Sequence, residues 1–204
     1  MATYLSVVGF LFRNTRVLGL PIPFHRNFEE VNLRFYVRRK TEEGWRRAVV
    51  FVREMVPRTA VAMVARALYN EKYVAVPMAH EVRRARDEPR RIESVSYRWD
   101  VAGRRNRLSV SVDSDPRPLV PGSHEEFIAE HYWGCSVQRD GGTCEYHVQH
   151  PPWLVAPAVH AELDCDVGRV YGDEFSRFLS PRPASAFLAE GSEVAVSRGV
   201  RLAG

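Results

Sequence analysis

Lysine is nearly absent from these 204 residues: Lys40 and Lys72 stand against 27 arginines. Schiff-base chemistry therefore has two amines to draw on, and Lys40 sits beside an exposed turn. Cysteine is scarce as well. Cys135, Cys144 and Cys165 make an odd number with no Cys-x-x-Cys pair, which points to free thiols in a reducing, cytoplasmic compartment. No uncharged apolar run approaches the roughly 20 residues of a membrane-spanning helix. The N-terminal stretch TYLSVVGFLF has no basic residue ahead of it and no small-x-small site after it, so it reads as a buried strand rather than a signal peptide. A phosphate-cradling Gly-rich loop, Gly-x-Ser-x-Gly and His-Glu-x-x-His are all missing. The residues specify no cofactor.

What remains is an ordinary globular composition. Hydrophobic residues make up 45% and charged residues 26%, with a formal charge of +4, too mild to name a polyanionic partner. A chain of this length buries roughly 70% of its unfolded surface and needs no metal to hold a core. One domain spanning residues 1–204 is expected.

Periodicity supplies the elements. Tyr4 to Phe12 reads as a strand, and Thr15 to Pro23 as an extended loop, because Gly19, Pro21 and Pro23 break any helix. Glu30 to Arg39 alternates with period two, Thr41-Glu42-Glu43-Gly44 turns, and Trp45 to Met55 returns. Arg58 to Tyr69 is a short helix closed by Asn70. Tyr73 to Arg84, Arg91 to Val101 and Arg107 to Val112 are three further strands. Ser123 and Glu126 form a capping box, and Gly134 to Gln149 a hairpin turning at Asp140-Gly141-Gly142. Trp153 to Asp166 is mostly extended, Val167 to Leu179 a helix, and Glu193 to Val200 a last strand. About nine strands and three short helices make a β-rich α+β domain on a large, curved, mainly antiparallel sheet.

The first hairpin decides where a pocket would be. Setting Arg39 opposite Trp45 puts Arg34 near Val50, Asn32 near Val52 and Glu30 near Glu54. Val31, Leu33, Phe35, Val37, Val49, Phe51 and Met55 then form a core face. Glu30, Asn32, Arg34, Tyr36, Val50, Val52 and Glu54 form a mixed one. That mixed face is either half-exposed sheet or the lining of a cavity, with Arg34 as anion anchor and Glu54 as its partner or a general base. A slip of one residue would scramble the assignment. Lys72 has Glu71 beside it, which raises rather than lowers an amine pKa. Glu130-His131-Tyr132-Trp133 gathers an acid, an imidazole and two aromatics at a helix exit. Such groups serve either as acid, base and oxyanion donor or as satisfied core polar residues.

Three features carry less. Cys144 and His147 have zinc-like spacing but no matching pair, so no metal site is expected. The stretch Arg83 to Arg107 has nine arginines against four acids, with no stacking platform, so nucleic acid is not the expected partner. Asp166, in Asp164-Cys165-Asp166, reads as a helix N-cap.

The segments VVGFLFRNTRVLGLPIPFHRNFEEVNLRFYVRR, GWRRAVVFVREMVPR, LYNEKYVAVPM, FIAEHYWG, HPPW and AFLAEGSEVAVSRGVRL resemble the YqjF-like bacterial family, number 2071 in the domain-of-unknown-function series. The likeness runs over nearly the whole chain. It implies an acetoacetate-decarboxylase-like superfamily fold, a β-rich barrel or cone around a cavity, and no established reaction. Members of the family carry some tens of residues ahead of the strand matching Tyr4 to Phe12. A piece of the sheet is therefore expected to be missing or supplied otherwise, and self-association, as a homo-oligomer such as a dimer, would cover the open edges. The superfamily's decarboxylases use a lysine pair after a short helix. The matching stretch here, Tyr69 to Val74, has one lysine and places Tyr73 at the reacting position, so the pocket carries over and the Schiff-base chemistry does not.

Two functions follow as expectations. One is a small-molecule binding protein holding a carboxylate or other oxygenated ligand against Arg34, with Asn32, Glu54, Tyr69, Asn70, Tyr73, His131 and Tyr132 nearby. The other is a lyase- or hydrolase-type enzyme in the same cavity, with Glu54 or His131 as acid/base and Tyr73 or Arg34 stabilising negative charge.

Overall fold

A computed structural model describes residues 3–17, 20–21 and 27–202. Among them lie sixteen strands and four helices. The first part of the chain forms β1 (Leu5–Phe12), β2 (Arg16–Val17), β3 (Leu20–Pro21), β4 (Phe28–Thr41), β5 (Gly44–Val56), α1 (Thr59–Tyr69) and β6 (Tyr73–Ala75). The middle forms β7 (Met78–Arg84), β8 (Ile92–Val101), β9 (Arg104–Ser111), α2 (His124–Ala129), β10 (Trp133–Val137) and β11 (Thr143–Gln149). The last part forms β12 (Val155–Pro157), β13 (His160–Asp164), α3 (Val167–Tyr171), α4 (Asp173–Leu179), β14 (Phe187–Ala189), β15 (Ala195–Val196) and β16 (Val200–Arg201). Part of the predicted Thr15 to Pro23 loop lies outside the described residues. No described helix is long and apolar enough to cross a membrane.

The chain divides into two compact units. The first comprises Met1–Pro77, His131–Gln149 and Ala195–Gly204; the second comprises Met78–Glu130 and His150–Val194.

In the first unit an eight-stranded sheet runs β1-β4-β5-β10-β11-β15, with β16 also on β11 and β6 also on β5. The long β4–β5 hairpin is its centre, as the alternation of Glu30 to Arg39 requires. The sheet is mainly antiparallel, as expected, with two parallel joints where β10 and β6 meet β5. One correction applies: it does not close into a barrel among the described residues, its path ending at the two-residue strands β15 and β16. Helix α1 ends as expected at Asn70, which takes φ 53° while its N–H bonds to the Arg66 carbonyl at 3.1 Å. Below it Phe28, Val56 and Ala62 form a buried cluster with Phe12, Val61, Tyr73 and Ala75 packed on it.

In the second unit β13-β9-β8-β7 form an antiparallel sheet and β12-β14 a small separate pair. Trp99, Val170 and Tyr171 are buried there. The predicted strand Tyr73 to Arg84 is really two, β6 and β7, interrupted at Val76-Pro77 and belonging to different units. The predicted helix Val167 to Leu179 breaks at Gly172, whose φ of 121° no helix tolerates. Asp166 caps α3 as expected, accepting the Arg169 N–H at 3.2 Å. At α2 the Ser123 hydroxyl accepts the Glu126 N–H, but Glu126 returns its bond to Gly122 N–H rather than to Ser123. The arginines of the 83–107 stretch lie largely on β7 to β9. Those at 83, 91, 104, 105 and 107 each have a carboxylate within 4 Å.

Candidate functional site

The β4–β5 pairing differs from the expected one by one residue at the turn, where Lys40 rather than Arg39 faces Trp45. The ladder then slips between Leu33 and Arg34, so that Phe51 faces Arg34 while Glu54 faces Asn32. Val52 is the extra residue of this β-bulge. Below the bulge the expected facing of Glu54 is restored; above it Val49 and Phe51, not Val50, share the side of Arg34 and Tyr36.

That face is not solvated at its lower end. Glu30, Asn32 and Glu54 are 3%, 0% and 2% exposed. The Asn32 amide donates to Glu30 Oε1 at 2.8 Å, and the Tyr73 hydroxyl donates to Glu30 Oε2 at 2.8 Å. Tyr73 reaches this point because β6 pairs with β5 in a register that sets Tyr73 beside Glu54. Glu71, two residues before β6, is buried and accepts from the Tyr146 hydroxyl of β11 at 2.7 Å. Tyr146 fits only because residue 134 across the β10–β11 pair is glycine: a Cβ there would overlap the phenol ring.

Three carboxyl groups therefore share a site largely removed from water, and their acidities follow. Burial, reinforced by the charges of Glu30 and Glu71, pushes Glu54 well above the usual carboxylate range, and Tyr73 opposes this only in part. Burial pushes Glu71 up to about 7, against the Tyr146 hydrogen bond and the charge of Lys72. Burial also raises Glu30, against the Asn32 and Tyr73 hydrogen bonds and the charge of Arg34. Tyr73 and Tyr146 are raised well above the usual phenol range, first by burial and then by these carboxylates, so both stay protonated donors. Glu54 Oε2 and Asn32 Oδ1 have no hydrogen-bond partner among the described residues. Neighbouring carboxyls that cannot all ionise at once give up their protons as a group, in steps.

The other predicted residues fall into two sets. Arg34 is half-buried on the same face and donates from Nε to the Tyr36 hydroxyl at 3.2 Å; Tyr36 passes a bond to Ser6 Oγ. His131 is buried with its ring 4.7 Å from that of Tyr36. Tyr69 and Asn70 instead tie the exit of α1 to neighbouring strands. The Tyr69 carbonyl accepts from Ser136 Oγ, its hydroxyl reaches the Ser197 carbonyl, and the Asn70 amide donates to the Val137 carbonyl at 2.7 Å. Tyr132 is half-buried and its carbonyl accepts the Val148 N–H. Lys72 is exposed. The residues that sequence reasoning missed are Glu30, Glu71 and Tyr146. Glu30 stands on the mixed face, the sequence shows Glu71 only as a neighbour of Lys72, and nothing local marks Tyr146.

Comparison with solved structures places the fold. An acetoacetate decarboxylase-like enzyme from Sphingomonas wittichii RW1 superposes with a TM-score of 0.51 at 12% identity, over 87% of this chain and 69% of that one. An acetoacetate decarboxylase superposes with a TM-score of 0.50 at 10% identity, over 98% and 86%. The enduracididine biosynthesis enzyme MppR complexed with pyruvate gives 0.48 at 14% identity, and the match takes in 88% of this chain but 63% of that protein's length. No curated protein matches the chain. The model of the DUF2071 family, described as an uncharacterized conserved protein, matches residues 1–193. The fold is acetoacetate-decarboxylase-like, and the chain belongs to the DUF2071 family.

Proposed function

We propose that the Glu30–Glu54–Glu71 cluster is a proton-transfer site for a small oxygenated molecule, a carboxylate or carbonyl compound. In this reading the protonated Glu54 donates to the ligand oxygen and Arg34 anchors an anionic end. The observation that carries it is Glu54: a buried carboxyl whose charged form is disfavoured by burial and by two neighbouring acids, with Oε2 unpartnered among the described residues. Such a group weakens the fold, and pKa values pushed this way mark sites of acid/base work. Glu71, poised near 7 and backed by Tyr146, supplies a second proton acceptor. Tyr73 holds Glu30 and, as a phenol that stays protonated, donates to charge developing on the ligand. The reaction class is lyase or hydrolase without an imine. Exposed Lys72 lacks the desolvation that helps an amine act as a nucleophile.

A thermal-shift and turnover screen of small carboxylates, keto acids and ketones tests this. The wild-type chain is expected to be stabilised by a member of the series and to convert it. Glu54→Gln, which keeps a donor but no transferable proton, retains the shift and loses turnover. Arg34→Ala loses the shift for anionic compounds. No response from any of the three proteins would end the reading, and turnover surviving in Glu54→Gln would remove Glu54 from it.

A further inference from the structure

The second unit holds a cleft of about 240 Å3 lined by Pro118, Leu119, Glu126, Glu130, Trp153 and Leu154 among others. That is below the roughly 300–1,000 Å3 of clefts that bury drug-sized molecules, so there is room for a small ligand only. Two segments that carry the family resemblance, FIAEHYWG and HPPW, meet here through Glu130 and Trp153, and neither residue belongs to the glutamate cluster.

Local structure fixes the walls. The Ser123 cap starts α2, and the i, i+4 spacing brings Glu126 and Glu130 to one side of it. Glu126 is oriented by the Gly122 N–H, which donates to Oε2 at 2.7 Å. Trp153 is held from two directions. Its ring stacks on His150 with centroids 4.1 Å apart and planes 18° from parallel, and its Nε1 donates to Ser192 Oγ at 2.8 Å. With the indole N–H committed and one face covered, Trp153 offers the cleft π surface rather than a hydrogen bond. Pro118, Pro121 and Pro152 stiffen the rim. Among the described residues no arginine or lysine lines the cleft.

Carboxylates beside an aromatic face select positive charge, because the ring quadrupole and the anions pull the same way. Leu119 and Leu154 add apolar contact for attached methyl or methylene groups. We infer that this cleft binds a small organic cation, with Glu126 and Glu130 neutralising the charge and Trp153 packing against it.

Calorimetric titration of the full chain with tetramethylammonium chloride tests this, with tert-butanol as the neutral counterpart and sodium chloride at equal ionic strength. Saturable binding of tetramethylammonium alone is expected. The Glu126→Gln/Glu130→Gln variant keeps an acceptor for Gly122 and weakens binding about tenfold or more, a difference of about 1.4 kcal/mol per decade. Trp153→Leu weakens it further; should that variant fail to fold, the paired Glu→Gln result decides alone. Equal binding of tert-butanol, unchanged affinity in the double variant, or no saturable binding through the millimolar range would overturn the inference.

Discussion

Asn32 and Glu54 lie directly across from each other on β4 and β5, both buried, each with one oxygen unpartnered among the described residues. A buried acceptor left without a donor costs free energy unless it takes up a proton. The arrangement weakens the fold and makes sense as part of a working site. Replacing Glu54 by Met removes the buried acid at similar volume. Urea unfolding at pH 8 is expected to show a gain on the order of 1–3 kcal/mol, as when other buried ionisable groups give way to apolar ones. A loss of that size would instead make Glu54 a structural residue.

Glu71 sets a pH dependence. Its pKa rises from an ordinary 4.5 to about 7 on folding. Between those values the unfolded chain releases a proton that the folded chain keeps, so stability falls as pH rises through this window and levels off above it. Glu71→Gln cannot titrate. It is expected to match the wild type at pH 4.5 and to exceed it at pH 8 by on the order of 3 kcal/mol. Parallel curves for the two proteins across that range would contradict the assignment.

Gly134 is where the packing around Glu71 is tightest. Gly134→Ala puts a methyl group into the Tyr146 ring and displaces the hydroxyl that bonds Glu71. A loss of about 1–3 kcal/mol follows from overpacking. Tyr146→Phe/Gly134→Ala should not recover it, because the clash involves ring carbons as well as the hydroxyl.

Asn106 does comparable work in the second unit. Fully buried, it donates to the Trp99 and Arg104 carbonyls at 3.3 and 3.2 Å and accepts the Asp166 N–H at 3.0 Å. Asn106→Ala strands three backbone groups, one of them at the cap of α3. A loss of about 2–4 kcal/mol is expected, together with faster amide exchange at Asp166. Protection at Asp166 equal to the wild type would show that α3 starts without this bond.

Much of the fold was legible because it is written locally. The β4–β5 alternation, the Ser123 and Asp166 caps, left-handed Asn70 and the Asp140-Gly141 turn all follow from side-chain period or turn chemistry. The site was legible only in half. Alternation marked Asn32, Arg34 and Glu54 as one face, yet the register at the turn was off by one. An unforeseen bulge at Val52 returned Glu54 to the side of Asn32. Tyr146 joins Glu71 across 75 residues, and no local pattern encodes a contact at that separation. The same limit hid the break between β6 and β7, where an unbroken apolar stretch hands over from one unit to the other.

The parallel junction of β10 with β5 is registered at Gly134 and Val49, 85 residues apart (134 − 49). On the ribosome the hairpin's far edge is finished long before its neighbour has been translated. At about 5–20 residues per second that interval is roughly 4–17 s, during which β6 can shield only the end near Val56. Newly made chains would then be exposed to mispairing with one another, so yield in a cell should depend on how fast translation runs and on which chaperones wait at the exit tunnel.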